Sequence, residues 1–334
     1  MAGVRWGITG FGWVARDYVA PAIGEAGDLL AAIADPDPRA QADGRDLGAM
    51  SFPSLDALLV DGGIDALYVA TPNHLHRAAT EAAAAAGVAV LCEKPMAASL
   101  DDAGRMIEAC RRAGVLYRTA FDQRHHPAHR AMRAAIEAGS VGTVTAVRIL
   151  YACWLGADWT AGRGGDNWRI DPARAGGGAL IDLAPHGIDL AGFLLGEPLI
   201  TLSALLQRRV HPYPVDDGAM LMGRTESGAL ASLHVAYNYP EGLPRRRLEV
   251  SGTTGLLLAT DTMGQDPGGT LVRVDGRTGA SLPLPVPDAT LSPFTAQIRS
   301  FSDALRRGDR DPSPGERDLA AMRLLAVAAD HGQP

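Results

Sequence analysis

Cysteine is scarce in this chain. Its 334 residues include 3 cysteines, and Cys92, Cys110 and Cys153 lie too far apart in sequence to suggest a disulfide framework or a zinc pattern. Cys92 sits in an apolar run, where a buried free thiol is the expectation. Basic charge is also short: 31 Lys and Arg stand against 38 Asp and Glu, for a net charge of −7. No electrostatic footprint for nucleic acid or an anionic membrane results. The one basic run, Arg245-Arg246-Arg247, reads as a solvated strand or loop. No run reaches the roughly 18 consecutive apolar residues of a membrane span. The chain enters a strand-like run at Val4 without a charged region and long apolar stretch, so no signal peptide is expected. Internal repeats and low-complexity linkers are missing too. These absences favour a soluble, cytoplasmic protein in a reduced state.

What is present is an ordinary globular composition, 47% hydrophobic and 21% charged, over a length that suits about two domains. The first third alternates short apolar runs with helical segments. Residues 4–9, 29–34, 64–70, 88–91 and 115–120 predict buried strands of a parallel sheet. Ala-rich helices at 77–86 and 100–113 stop at Gly87 and Gly114. This alternation predicts an α/β Rossmann domain, a doubly wound parallel sheet, over residues 1–121.

After Phe121 the pattern changes. A helix is predicted over 127–138, then strands at 143–154, 199–209, 219–225, 229–237, 247–251 and 271–274, joined by Gly or Pro turns. Residues 275–288 read as loop. Strands in succession imply a mostly antiparallel sheet in an α+β domain over 122–334. Closing helices at 295–307 and 316–329 are expected to pack back on the body.

The turn Gly10-Phe11-Gly12-Trp13-Val14-Ala15 follows the first strand and opens a helix, the setting a dinucleotide fingerprint requires. The first glycine permits the tight turn, the second lets backbone approach a pyrophosphate, and Ala15 allows close helix packing. Asp35, twenty residues after Ala15, can accept from both ribose hydroxyls and would repel a 2′-phosphate. NAD is therefore favoured over NADP, although Arg39 could reach a phosphate if Asp35 turned away. Asp35-Pro36-Asp37-Pro38 also reads as a turn and helix cap. Thr71 and Asn73, after the third strand, face a cofactor crevice or cap the next helix; for Thr71 alone, capping is the better reading.

Lys94 follows another apolar strand and precedes Pro95. On a crevice lip it can hydrogen-bond a substrate hydroxyl; as an arbitrary lysine it would pair with Glu93. In the second domain, Gly176-Gly177-Gly178 leads to Asp182 and His186, whose spacing puts both on one helix face. Pro185 is tolerated mainly in a first turn, which would start the helix there and set His186 near its N-terminus as a neutral base. The glycine triplet suggests close approach of backbone to a ligand. His125-His126-x-x-His129 superficially has metal-ligand spacing, but no Glu stands in the motif and Pro127 breaks the register, so no metal is expected.

Taken together, these residues resemble the glucose–fructose oxidoreductase/inositol dehydrogenase/rhizopine-catabolism (Gfo/Idh/MocA) family. The resemblance runs along nearly the whole chain: the glycine turn, Thr71-Pro-Asn73-x-x-His76, Glu93-Lys94-Pro95, Asn167-Trp168-Arg169, and Gly-Gly-Gly-x-Leu-x-Asp182-x-x-x-His186-x-x-Asp189. It implies a Rossmann domain followed by an open-faced sheet through which dimers or tetramers form. It implies a catalytic set of Lys94, Asp182 and His186. It also implies cofactor contacts from the glycine turn, Asp35, Thr71, Asn73, His76, Glu93, Lys94, Trp168 and Arg169. Substrate contacts would come from Lys94, Asp122, Gln123, Asn167, Asp182, His186 and Tyr237, with Trp154, Asp158, Trp159 and Asp166 as further candidates.

The implied activity is hydride transfer between NAD(P) and a secondary alcohol or ketone of a monosaccharide, sugar derivative or cyclitol. Redox-assisted glycoside cleavage with recycling NAD, or a non-catalytic NAD(P)/sugar sensor, are the alternatives. Spacing around Trp168 to Asp189 is especially similar to that of the anhydrofructose-reductase branch, which prefers NADP and lacks an acid at the position of Asp35. Inositol dehydrogenases carry a tyrosine in the segment matching 242–244, and this chain has none there.

Overall fold

The computed structural model describes residues 3–160 and 167–331. Two compact units result: Met1–Ala120 with Phe294–Ala320, and Phe121–Pro293 with Ala321–Pro334.

The first unit holds strands β1 (Arg5–Thr9), β2 (Leu29–Ala34), β3 (Met50–Phe52), β4 (Ala66–Val69), β5 (Ala89–Cys92) and β6 (Tyr117–Thr119). They form a six-stranded sheet in the order β3-β2-β1-β4-β5-β6, parallel at every pair. The strand order reverses between β1 and β4, the switch point at which a doubly wound sheet binds its ligand. Helices α1 (Ala20–Glu25), α2 (Pro38–Asp46), α3 (Leu55–Asp61), α4 (His76–Ala85) and α5 (Leu100–Ala113) connect the strands. Ser99 caps α5 by accepting from the Asp102 amide, and Gly114 ends it in the left-handed region, φ +64°. β3 is an addition to the sequence reading, since three residues are too short to show a period.

The second unit begins with α6 (Pro127–Glu137) and β7 (Val144–Ala152), followed by the short α7 (Pro172–Ala175) and α8 (Ala179–Leu195). Then come β8 (Leu199–Gln207), β9 (Gly218–Thr225), β10 (Leu230–Ala236), β11 (Arg246–Gly252), β12 (Gly255–Thr260), β13 (Thr270–Asp275) and β14 (Ser281–Pro283). They build an eight-stranded sheet, β14-β13-β12-β11-β7-β10-β9-β8. It is antiparallel except where β10 runs parallel to β7. β14 falls in the stretch expected to be loop, and β12 joins without a marked signal of its own.

One face of this sheet is covered by α8. Val147, Ile149 and Tyr151 of β7 alternate inward with Leu233 and Val235 of β10 into the second core. A side chain at Gly187 would collide with Leu233, so glycine lets the helix lie close. By length and composition Pro172–Leu195 is apolar enough to cross a membrane, but 67% of that window is buried. It is the core helix of this unit.

Two closing helices complete the chain, α9 (Pro293–Arg306) and α10 (Ser313–His331). A second domain continuous over 122–334 is not what forms. Phe294, Ile298, Phe301 and Ala304 enter the Rossmann core instead. Phe301 meets Trp6 with ring centroids 5.2 Å apart, and Phe294 stacks on Tyr18 at 5.4 Å. Arg306 and the Ser302 hydroxyl both bind Asp28. The apolar stripe of α9 is satisfied by the first core, which sequence periodicity alone cannot distinguish from the second.

Candidate active site

In the first unit, the glycine turn lies between β1 and β4. Gly10 has φ +81°, and a Cβ there would come within 2.7 Å of Ala70 and Thr71 backbone. A Cβ at Gly12 would meet nothing within 4 Å, so the surface over that residue is open to a ligand. The helix starts with Arg16 N–H donating to Gly12 O at 2.9 Å. Earlier amides of the turn thus precede the intrahelical ladder. Asp35 closes the arrangement from the end of β2: it accepts from Phe11 N–H at 2.7 Å and Asp37 N–H at 2.8 Å. Asp37, in turn, caps α2 and pairs with Arg39 at 3.1 Å. Arg39 is thus paired at the α2 cap with its side chain largely exposed.

Neither Thr71 nor Asn73 caps a helix. The turn Asn73–Leu75 is preceded by Pro72 and α4 by Leu75, with no side-chain cap at either. The Thr71 hydroxyl is buried and takes no hydrogen bond among the described residues. A buried orphan hydroxyl at the carboxyl end of β4 suits a bound polar ligand. Together with the open face of Gly12 and the Asp35 carboxylate, it fits a dinucleotide.

His76 does not fit the cofactor role expected of it. Its ring is fully buried, with Nδ1 3.1 Å from the carbonyl oxygens of Pro95 and Met96 and Nε2 2.8 Å from that of Thr71. Burial keeps its pKa below the usual histidine range. Both nitrogens face backbone carbonyls, and the one that carries the proton donates, so His76 packs between the Thr71 loop and the segment that carries Lys94. Glu93 accepts from the Tyr68 hydroxyl at 2.6 Å and from the Lys94 amide at 3.2 Å. This anchoring fixes the chain on both sides of Lys94 at the end of β5.

In the second unit, α8 starts earlier than its proline suggested. Asp182 lies in its first turn, while Pro185 and His186 are interior. His186 is therefore not held neutral by a helix N-terminus. It is 6% exposed, edge-on to Tyr151 at 5.4 Å and to Phe121 at 6.5 Å. Its Nδ1 lies 3.6 Å from Asp122 Oδ1. A ring that takes up a proton here gains a carboxylate neighbour.

The glycine triplet serves the chain rather than a ligand. Gly176, at φ +86°, ends α7. A Cβ on Gly177 would run into Ile181, and one on Gly178 would overlap the Asp216 carbonyl. Asp216 caps α8 from the loop before β9, accepting from Gly178 N–H at 2.9 Å and Leu180 N–H at 2.7 Å. Burial raises its pKa against the pull of those amides.

Asp182 Oδ2 accepts from the Tyr237 hydroxyl at 2.7 Å. Tyr237 is 1% exposed, so the structure gives it to Asp182 and not to an open surface. Burial and the charge of Asp182 both push the phenol well above its usual range. Gln123 likewise holds an acid: its amide donates to Asp122 Oδ2 at 2.7 Å and to Gly264 O at 2.9 Å, and it is buried. Asn167 caps the turn of Trp168 and Arg169 at 3.3 Å, and its amide nitrogen donates to Gly156 O at 3.3 Å. Gln123 and Asn167 thus position neighbours, where substrate contact was expected. The Arg169 guanidinium lies 4.8 Å from the Trp159 ring centroid and 4.6 Å from that of Trp168. Trp154 is largely exposed, edge-on to His211 at 4.8 Å. Asp166 lies outside the described residues.

The sequence reading named Asp189 without a partner and did not single out Arg124 or Tyr151. Asp189 is gripped by Arg124, whose Nε lies 2.7 and 2.8 Å from its two oxygens. Arg124 also lies over Phe121 at 5.4 Å, supporting one wall beside His186. Tyr151 shows only as an inward position of β7. Two of the three histidines at 125, 126 and 129 have structural work: His126 caps α6, and His129 bridges Gln123 O at 2.8 Å and the Thr262 hydroxyl at 2.9 Å. Burial lowers His126 to about 4 and His129 to about 3.

Residues 4–121 match the oxidoreductase family with NAD-binding Rossmann fold, and residues 129–258 match the GFO/IDH/MocA C-terminal domain. The chain belongs to this family. A 1,5-anhydro-D-fructose reductase from Ensifer adhaerens is 35% identical, covering 98% of this chain and 97% of the relative. A D-xylose 1-dehydrogenase (NADP(+)) from Haloferax volcanii is 30% identical over 96% and 95%. The crystal structure of aldose-aldose oxidoreductase from Caulobacter crescentus, complexed with glycerol, superposes with a TM-score of 0.86 at 27% identity, covering 99% of this chain and 98% of the other. Both family matches fall on the regions described above, the first on the Rossmann sheet and the second on α8 with the strands that pack against it.

Proposed function

We propose that this GFO/IDH/MocA oxidoreductase is an NAD-dependent dehydrogenase acting on a secondary alcohol of a monosaccharide, sugar derivative or cyclitol. The observation that carries the reading is the setting of His186, an enclosed imidazole beside the Asp122 carboxylate and one helical turn from Asp182. Relatives of known name act on sugars and cyclitols, among them the anhydrofructose reductase and an inositol 2-dehydrogenase from Rhizobium meliloti. NAD, when bound, supplies the hydride acceptor. His186 takes the hydroxyl proton as general base, and Asp122 stabilises the imidazolium that forms. Asp182, oriented by Tyr237, holds the ring or the substrate hydroxyl. Lys94 offers its ammonium to the reacting oxygen as negative charge develops there.

Asp35 supports NAD over NADP, because a carboxylate at the end of β2 meets a ribose diol well and a 2′-phosphate badly. A reducing cytoplasm accords with the free thiols Cys92, Cys110 and Cys153. For assembly we propose a homodimer or homotetramer through the outer face of the eight-stranded sheet. Leu205, Met222, Leu230 and Met220 stand there 75%, 72%, 57% and 52% exposed. Contiguous apolar side chains of this kind favour a subunit contact.

The test is nicotinamide absorbance with NAD or NADP against a panel of aldoses, ketoses and cyclitols, beside His186→Ala. Substrate-dependent NADH formation lost in the variant, with NAD binding retained, is the expected result. Tight NAD binding with bond cleavage and no net reduction would transfer the reading to recycling chemistry.

A further inference from the structure

Arg246 has no part in the reading so far. The basic run to which it belongs looked like solvated surface, and its neighbours behave that way: Arg245 pairs with Glu241 at 3.2 Å and Arg247 with Glu249. Arg246 differs. In the β11–β7 pairing it stands opposite Tyr151, whose ring is edge-on to His186. Its charge acts on the Tyr151 hydroxyl together with those of Asp122 and Asp182. The guanidinium reaches over Gly264, where a Cβ would overlap Nη1. Gly264 is held in place by the same Gln123 amide that holds Asp122. The cation is therefore one side chain away from the proposed base.

Its pairing is unusual for that position. Nε is buried and takes no hydrogen bond among the described residues. No ion pair to Arg246 forms within 4.0 Å among them, whereas the nearby acids each have a donor: Gln123 for Asp122, Tyr237 for Asp182, Arg124 for Asp189. The residue is half-buried rather than solvated, and the planar fork of its guanidinium matches a carboxylate oxygen pair.

We propose that Arg246 binds a carboxylate of the substrate, so that this enzyme takes a polyhydroxy acid, an aldonate or uronate, in preference to the neutral sugar. One fork suits one monoanion, while a phosphate dianion would set more negative charge against Asp122 and Asp182. This deepens the dehydrogenase reading and rests on it.

The test is calorimetric titration of NADH-loaded protein with D-glucuronate, D-galacturonate and D-gluconate, and with D-glucose, D-galactose and myo-inositol, for the wild type, Arg246→Gln and Arg246→Lys. Circular dichroism confirms that both variants fold. At least one acid should bind about ten- to a hundredfold more tightly than its neutral counterpart. Arg246→Gln should erase that preference and Arg246→Lys retain part of it. Equal or tighter binding of neutral sugars, no binding of any acid at millimolar concentration, or an unchanged preference in Arg246→Gln would overturn the proposal. Failure of NADH to bind would strike the dehydrogenase reading instead. The acids would then be titrated into the protein alone, where dependence on Arg246 decides in the same way.

Discussion

Replacing His129 with asparagine should make the second unit less sensitive to acid. The ring is fully buried. Because the Gln123 carbonyl can only accept, Nδ1 carries the proton and Nε2 accepts from Thr262, the neutral tautomer. Burial, with His126 beside it, keeps the folded ring neutral down to about pH 3. An unfolded histidine titrates near 6.5. Between those values the unfolded chain binds the extra proton. The ring's contribution is therefore complete above about pH 6.5 and is lost progressively as pH falls toward 3. From pH 8 to pH 5.5 the loss from this one group is about 1.4 kcal/mol. Asparagine lowers stability at both pH values through its poorer bonding, but that cost cancels in the difference. Urea unfolding followed by tryptophan fluorescence should show the pH 8 to 5.5 difference shrinking by about 1.4 kcal/mol in His129→Asn. An identical difference in both proteins would refute the claim that a neutral buried ring sits at this position.

Tyr237→Phe removes a donor to a carboxylate, an interaction of about 1.5–3 kcal/mol. It should lower kcat roughly ten- to a hundredfold and move the pH–rate profile, while NAD affinity, measured by fluorescence titration, stays unchanged. Asp35→Ser removes the charge that opposes a 2′-phosphate. The NAD-to-NADP ratio of kcat/KM should fall at least about tenfold, as expected for roughly 1.4 kcal/mol; an unchanged ratio would remove Asp35 from cofactor choice. Leu205→Lys with Met222→Lys should yield monomers in sedimentation equilibrium if the outer sheet face is the subunit contact, and leave the association state unchanged if it is not.

The sequence revealed most where one physical rule acts alone. Residues 29–34 form a strand because every side chain is apolar, and 100–113 form a helix bounded by Ser99 and Gly114. Gly10 and Asp35 announce the turn because only glycine tolerates its φ and only an acid makes its two amide contacts. It revealed least where two distant segments meet. Pro185 suggested a helix start, but Asp216 supplies a cap earlier, from a loop far along the chain, and the proline stays inside. The glycine triplet looked like a ligand cradle because sequence cannot show that Asp216 backbone occupies that space. Gln123, Asn167, Tyr237 and His76 were recognised as special, yet their roles depend on which partner each side chain meets. Arg246 was hidden by the charges on either side of it. Strand alternation turns it inward and its neighbours outward.

The most direct test of the account is a single-turnover measurement of nicotinamide reduction in the wild type, Lys94→Ala and His186→Ala, each loaded with NAD and mixed with the best substrate of the panel. Loss of a general base or of charge stabilisation should slow hydride transfer about a hundred- to ten-thousandfold, with NAD affinity retained in both variants. A His186→Ala enzyme that reduces NAD at the wild-type rate would contradict the assignment of that imidazole as the proton acceptor.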